Sequence, residues 1–167
     1  PKDYTMPTTG AGGESGLVLM ELYDAGDSGV DRSRLVNLSA RSRVGTGADR
    51  LIPGFVIEGD VAITVLIRAV GPTLSGFGVA EPLEDPIMQL FSGDRELAAN
   101  DDWGSGPRGT AIAAAAGRVG AFDLDTSTRD SALLVTLNPG AYTVRVSGVG
   151  DTVGNCLVEV YEVAPQP

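Results

Sequence analysis

Short stretches of alternating apolar and polar residues recur along most of this chain, and that period predicts β-strands rather than helices. The stretch at residues 61–70 has the highest content of β-branched residues, and we predict that it forms a central strand. Segments rich in Gly, Pro, Asn and Asp separate the apolar runs and predict tight turns. The further predicted strands are 17–23, 34–40, 54–57, 87–91, 97–99, 131–137, 141–147 and 155–163.

One stretch breaks this pattern. Residues 109–117 are rich in alanine, the strongest helix former, and predict a short helix that ends at Gly117. Residues 71–86 predict a long loop, with Phe77 as an apolar plug that anchors it. Together these elements predict an all-β fold, an antiparallel, jelly-roll-like β-sandwich of about 8–10 strands with one helix near 109–117.

The two ends of the chain share a repeated sequence. Residues 1–25 align without a gap with residues 139–163, an offset of 138 positions. We predict that residues 1–25 are an N-terminal arm and strand, a degraded copy of a C-terminal hairpin, and that residues 26–167 form a single β-sandwich domain. The identical positions are Pro1, Tyr4, Thr5, Gly10, Gly12, Gly16, Leu19, Glu21 and Tyr23, which recur as Pro139, Tyr142, Thr143, Gly148, Gly150, Gly154, Leu157, Glu159 and Tyr161.

Three interpretations fit this repeat. The chain is a window of a tandem array, or its opening strand completes a neighbouring subunit, or both copies lie in its own sheets after an old duplication. The divergence favours a donated strand, because Pro7 replaces Arg145 and removes a ladder N–H, whereas Leu17 replaces Asn155 and adds apolar bulk. An unpaired strand this apolar would aggregate. The predicted assembly residues are Leu17, Val18, Leu19, Met20, Leu22, Tyr23, Arg34, Arg41 and Arg43.

Charge narrows the range of partners. The chain has a net charge of −10 and a pI of about 4.3, which argues against nucleic acid or an anionic membrane as a partner. Basic residues cluster from Arg32 to Arg50, either as a solvated surface or as a docking patch for an acidic neighbour. No apolar run approaches the roughly 18 residues of a membrane-spanning helix. Because the chain begins at Pro1 rather than Met, we expect a mature or excised form that has lost its targeting segment.

The residue types present exclude several kinds of chemistry. The chain has no His, so a Ser-His-Asp triad, a Cys-His pair and a His-ligated zinc site are ruled out. Cys156 is a lone cysteine that cannot form an internal disulfide, and we predict that it is a small core residue. Carboxylates are abundant, but no substrate cleft is indicated, and we predict no enzymatic activity and no required cofactor.

Two polar segments could bind a ligand. Asp94, Asn100, Asp101 and Asp102 are weak calcium candidates, because calcium prefers closely spaced oxygen ligands. The same residue types also cap turns, which is the simpler interpretation. Trp103 could stack on a sugar ring, or it could be an apolar plug.

Longer stretches of the chain resemble a known group. PIMQLFSGDRELAANDDW and RDSALLVTLNPGAYTVRVSGVGDTVGNCLVEVYE resemble the bacterial pre-peptidase C-terminal β-sandwich group, and more closely the tandem-repeat domains of large secreted bacterial proteins. RLVNLSARSRVGTGADRLIPGFVI and TVLIRAVGPTLSGFGV also have counterparts in those repeats. The resemblance implies an extracellular, noncatalytic β-sandwich module. Some members of that group bind calcium or collagen, but no ligand set matches this chain residue by residue.

These observations lead to two hypotheses. The first is a noncatalytic structural module, secreted or at the cell surface, that assembles head to tail with copies of itself into a filament or a tandem surface array. Its connection would be strand exchange or strand addition through the N-terminal segment. The alternative is a carbohydrate- or surface-binding, adhesin-like accessory module with a glycan or cell-surface ligand.

Overall fold

The chain folds into two units, Pro1–Leu35 and Val36–Pro167. A computed structural model describes residues 4–24, 35–104 and 108–165. Within the second unit, the described residues form eight strands in two four-stranded sheets and one α-helix, which confirms the predicted all-β sandwich. The strands are β1 (Asn37–Val44), β2 (Gly54–Ile57), β3 (Ile63–Val70), β4 (Pro86–Ser92), β5 (Arg95–Asn100), β6 (Ser131–Leu137), β7 (Gly140–Gly148) and β8 (Gly154–Val163), and the helix is α1 (Gly109–Val119).

Both sheets are antiparallel. We call the sheet with strand order β1-β8-β3-β6 sheet A, and the sheet with order β2-β7-β4-β5 sheet B. As predicted, β3 is a central strand, because β8 and β6 pair with its two edges. Alternate residues of facing strands form one core between the sheets, to which β3 contributes Ile67, β7 contributes Val144 and β8 contributes Cys156, all fully buried.

A second apolar cluster covers the outer face of sheet A. Leu66 points to this face, where Ile112 and Ala115 of α1 pack against it together with Trp103. The β3, β6 and β8 part of sheet A is therefore buried on both faces, and its central strands need apolar residues at nearly every position. This explains why the run at 61–70 is almost continuously apolar rather than alternating.

The helix is two residues longer than its sequence indicates. It passes through Gly117 and ends at Gly120, whose backbone is left-handed with φ of 72° and whose N–H bonds to the carbonyl oxygen of Ala116. This geometry is a standard C-terminal helix cap that glycine adopts without strain. The predicted stop at Gly117 was wrong because a single interior glycine weakens a helix but does not end it.

The strands of the second unit lie close to their predicted positions, with one larger shift. The strand predicted at residues 34–40 runs instead from Asn37 to Val44, and Arg34 lies outside the described residues. Arg41 and Arg43 extend the strand because their side chains fall on its exposed face.

Phe77 does not anchor the loop after β3. Its side chain is 62% exposed, and its ring lies against that of Phe122 with 4.8 Å between the ring centres. The anchor is Asp130, a fully buried carboxylate. It accepts hydrogen bonds from the Gly71 N–H at 2.8 Å and from the Thr73 hydroxyl at 2.5 Å, and so holds the 3₁₀ turn Pro72–Phe77.

The last two strands are not a hairpin. Residues 148–154 carry the chain from β7, between β2 and β4 in sheet B, to β8, between β1 and β3 in sheet A. We call β7, β8 and their connection the β7–β8 arch. The predicted hairpin was wrong because a Gly-rich turn between two alternating strands is compatible with either connection, and local sequence does not specify which sheet the second strand joins.

The first unit contains no strand among its described residues, 4–24 and Leu35. Its one regular element there is a 3₁₀ turn at Ala11–Gly13. The strand predicted at residues 17–23 is therefore absent, because a strand forms only when a hydrogen-bonded partner is present and no described residue pairs with this segment. The predicted domain boundary between residues 25 and 26 falls in 25–34, outside the described residues.

Candidate assembly surfaces

The first unit reproduces the turn of the β7–β8 arch in three dimensions. Ala11–Gly13 and Val149–Asp151 are both single 3₁₀ turns. In each, the middle residue is a glycine with positive φ, 67° at Gly12 and 62° at Gly150. The repeat seen in the sequence is thus also a repeat of backbone conformation.

The residue that enters each turn must also be glycine. A Cβ atom on Gly148 would lie 2.1 Å from the carbonyl oxygen of Thr152, and one on Gly10 would lie 1.9 Å from that of Glu14. Both distances are far below van der Waals contact, so either position excludes a side chain. The two turns share this steric requirement at equivalent positions.

A side-chain contact is repeated as well. Tyr161 donates its hydroxyl to Glu159 Oε1 at 2.7 Å, and Tyr23 donates to Glu21 Oε1 at 2.9 Å. Burial and then the Glu159 hydrogen bond raise the pKa of Tyr161, whereas the Glu21 hydrogen bond is the main cause that raises the pKa of Tyr23. The contact is the same, but at Tyr23 it is exposed to solvent.

The surroundings of β8 show which contacts a strand with the repeated sequence makes. Cys156, Val158 and Val160 point into the core between the sheets, where all three are buried. Their counterparts are Val18, Met20 and Leu22, which are all exposed. We call residues 17–23 the donor segment, because it has the sequence of a strand covered on both faces while its described side chains are open to solvent.

The outer face of β8 carries a buried charge. Arg68 of β3 lies directly opposite Glu159 and donates from Nε to Glu159 Oε2 at 2.9 Å. Its Nη2 lies 2.6 Å from the same oxygen, close enough for ion pairing but not in hydrogen-bond geometry. Its Nη1 donates to the carbonyl oxygen of Phe122 at 2.5 Å, and the guanidinium lies 4.2 Å above the Phe122 ring centre.

Among the strands that the structure describes, β1 lies at one edge of sheet A and β2 lies at one edge of sheet B. The N–H of Glu162 in β8 bonds to the carbonyl oxygen of Val36 at 2.9 Å, which makes these two residues a hydrogen-bonded pair of the antiparallel ladder. Alternate residues face alternate edges, so the N–H and C=O groups of Ser39 and Arg41 point away from β8. These groups form an unpaired edge that can accept another strand.

The core is also incompletely covered beside β1. Leu38 and Ala40 point inward but are only half-buried, and Ser42 on the same face is exposed. By comparison, Val65 and Ile67 on the inner face of β3 are buried. The core is therefore less completely covered next to β1 than next to β3.

The opposite side of the sandwich is closed by polar contacts. The Ser131 hydroxyl at the start of β6 donates to the carbonyl oxygen of Asn100 at 3.0 Å. The N–H of Ala132 donates to Asn100 Oδ1 at 2.9 Å. Asn100 thus ties the end of β5 to the start of β6, two strands that belong to different sheets.

The predicted basic residues have different surroundings. Arg43 Nη1 pairs with Glu81 Oε2 at 2.5 Å, at the wall of an open groove of about 490 Å³. Arg41 is exposed on the same face of β1 and has no ion-pair partner within the described residues. Arg34, the third predicted assembly cation, lies outside the described residues.

The calcium candidates do not converge. Asp94 lies in the turn before β5 and Asn100 is the last residue of β5, so the length of this strand, roughly 20 Å, separates them. The amide of Asn100 is used within the fold, since it also donates to the carbonyl oxygen of Asp102 at 3.3 Å. Within residues 4–24, 35–104 and 108–165, no three His, Cys, Asp or Glu side chains are arranged to hold a metal ion. Asp101 is exposed beside this turn.

Trp103 is part of the core. It belongs to the cluster beneath α1 and is 4% exposed. Its indole N–H donates to the carbonyl oxygen of Asp125 at 3.2 Å. A ring in this position offers no face on which a sugar could stack, and the side chain acts as the apolar plug that the sequence allowed.

Comparisons with solved structures show one similarity that can be described in detail. No family model and no curated protein matches the chain. Among solved structures, it is similar to the pre-peptidase C-terminal domain of a collagenase from Bacillus anthracis, with 11% sequence identity and a TM-score of 0.43. The alignment covers 75% of this chain and 89% of that one. That domain belongs to the group that the sequence resembles. No helix in the described part of the chain has the length and apolar character needed to cross a membrane.

Proposed function

We propose that this chain is a noncatalytic, extracellular structural module that assembles head to tail with copies of itself through the donor segment. One observation carries the proposal: residues 17–23 copy the central strand β8, yet they are exposed and form no strand with any described residue. The extracellular location rests on the sequence resemblance to domains of secreted bacterial proteins.

The energetics favour a partner for this segment. Leu17 is 92% exposed and Leu19 is 81% exposed, although their sequence neighbours are also apolar. Burying a Val, Leu or Met side chain contributes about 1.5–3 kcal/mol, so several such side chains can offset the entropy lost when the segment becomes ordered. Pairing in a ladder also satisfies the backbone groups that a lone strand leaves to water.

The assembly is directional. The donor segment and the sandwich that receives it are different surfaces of the chain, so the contact is heterologous. A heterologous contact that does not close into a ring continues into an open filament. The same contact between consecutive repeats of one long chain would give a tandem surface array.

Matched valine substitutions test the proposal. Val18 in the donor segment is 68% exposed and Val61 before β3 is 66% exposed. We expect the full chain and its Val61→Asp variant to form filaments in negative-stain electron microscopy. The Val18→Asp variant should remain dispersed, because an unpaired carboxylate cannot enter an apolar site without a large desolvation cost.

A deletion provides a second test of the proposal. Removing residues 1–25 leaves all eight described strands in place, so we expect a folded monomer by circular dichroism and sedimentation velocity. Filaments that persist after this deletion or after Val18→Asp would show that another surface connects the subunits. Full-length chains that remain monomeric at every concentration would contradict self-assembly altogether.

A further inference from the structure

The strands beside the β7–β8 arch indicate which surface can receive its copy. In sheet A, β8 pairs with β1 from Asn37 opposite Tyr161 to Val44 opposite Gly154. In sheet B, β7 pairs with β2. Both β1 and β2 therefore have one edge against the arch and, within the described strands, one edge without a partner. A strand similar in sequence to β8 therefore matches β1, approached from its open side.

We propose, on the basis of the function proposed above, that the donor segment of one copy extends sheet A of the next copy along the open edge of β1. Successive residues of a strand point to opposite faces of a sheet. With Val18, Met20 and Leu22 directed inward, as their counterparts in β8 are, these side chains cover the half-buried Leu38 and Ala40. The added strand thereby completes the cover of the core next to β1.

The same alternation brings opposite charges to one face. Glu21 then lies on the outer face, which is also the face of β1 that carries Arg41 and Arg43. Arg43 is already paired with Glu81, whereas Arg41 has no ion-pair partner in the described part of the chain. Residues 10–24 contain three acidic residues and no basic one, and β1 contains two arginines and no acid. The charges therefore favour this edge and select Arg41 as the partner of Glu21.

The other sheet edges fit less well. Neither β2 nor β6 contains a charged residue to meet Glu21, and Asn100 occupies one of the edge N–H groups of β6. β5 carries Arg95 next to Glu96, so a second acidic strand would meet a carboxylate there as well as a cation. Among the described edges, β1 alone combines open backbone groups, incompletely covered apolar residues and uncompensated positive charge.

A charge-exchange experiment tests the pairing. Glu21→Arg and Arg41→Glu each place like charges opposite one another, and we expect each variant alone to raise the critical concentration for polymerisation by about tenfold. An equimolar mixture of the two variants restores opposite charges at every junction. It should polymerise near the wild-type concentration, as should the double variant E21R/R41E. Pelleting assays at low ionic strength measure all four samples.

The matched control is Arg95→Glu, which makes the same charge change on edge strand β5. It should polymerise like the wild type, and mixing it with the Glu21→Arg variant should restore nothing. At about 1 M salt the differences should largely disappear, because charges are then screened within about 3 Å.

The outcomes separate this inference from the function on which it rests. If the wild type forms filaments that neither single variant affects, the donor segment assembles on another edge and the β1 pairing is wrong. If the double variant polymerises but the mixture of single variants does not, the two residues pair within one chain rather than between copies. If the wild type never polymerises, the proposed function fails and the inference fails with it.

Discussion

Arg68 and Glu159 are opposite each other on neighbouring strands and form an ion pair that is almost completely buried. They are separated by 91 positions in sequence, and their ion pair links β3 to β8. Tyr161 and the carbonyl oxygen of Phe122 satisfy other polar atoms of the pair. This group replaces apolar packing at the centre of the outer face of sheet A.

We predict that removing one partner of this pair strongly destabilises the sandwich. Glu159→Gln leaves the Arg68 guanidinium buried without a counter-charge, which costs about 3–5 kcal/mol. Urea denaturation followed by circular dichroism measures the loss. Glu21→Gln, the same change at the repeated but exposed position, is the control and should leave stability unchanged. Replacing both partners with apolar residues, as in Arg68→Met/Glu159→Leu, should recover most of the lost stability.

Asp130 is the second buried polar residue whose loss should be severe. Its carboxylate accepts hydrogen bonds from the Gly71 N–H and from the hydroxyls of Thr73 and Thr128. Asp130→Ala removes this acceptor from the Gly71 N–H and the Thr73 hydroxyl, whereas Thr128 can still donate to the carbonyl oxygen of Asp125. We expect a cost of about 3 kcal/mol in unfolding free energy. Asp123→Ala removes an exposed carboxylate nearby and should be neutral. Equal effects of the two substitutions in thermal melts would contradict an anchoring role for Asp130.

Cys156 should be unreactive in the folded chain. Burial raises the pKa of its thiol, with a smaller contribution from the negative charge of Asp130. At pH 8 the folded protein should therefore react with an aromatic disulfide reagent only as fast as it unfolds, whereas urea-denatured protein should react at once. Because the unfolded thiol ionises near pH 8.5 and the folded one does not, its ionisation lowers stability as the pH rises above about 8.5. Fast labelling under native conditions would show that β8 opens locally.

Two equivalent glycines should respond differently to substitution. A Cβ atom on Gly154, at the start of β8, would lie 2.6 Å from the backbone nitrogen of Leu83, whereas one on Gly16 would meet nothing within 4 Å. We expect Gly154→Ala to destabilise the sandwich by roughly 2 kcal/mol through overpacking. Gly16→Ala should leave its melting temperature unchanged, which differential scanning calorimetry can test on both variants.

Local patterns predicted most of the strands and the sandwich architecture. Period-two alternation and Gly- or Pro-rich turns are properties of a few adjacent residues, so β2, β4 and β6 appear close to their predicted positions. Which strands pair with each other is not determined by a few adjacent residues. The turn at Gly148 suits a hairpin and an arch equally, and only the completed sheets show that β7 and β8 belong to different layers.

The sites were harder to predict for the same reason. Trp103 and Phe77 are both aromatic residues in loops, and their sequence neighbours do not show that the first is buried and the second is exposed. Arg68 was missed, although a cation inside the apolar run 61–70 is a recognisable signal that a buried counter-ion exists. The exposed state of the donor segment could not be derived from its sequence, which predicts a strand equally well with or without a partner.

The position of β8 in sheet A also constrains how the chain folds. The last of the described strands in sequence, β8, separates the first, β1, from β3, so sheet A cannot close until β8 has been synthesised. Contacts this distant in sequence make folding slow and leave unpaired edges exposed meanwhile. We expect the donor segment, which precedes every described strand of the sandwich in sequence, to compete with β8 during that interval for the gap between β1 and β3. If this expectation holds, the order of synthesis helps to determine which copy of the repeat fills the centre of the sheet.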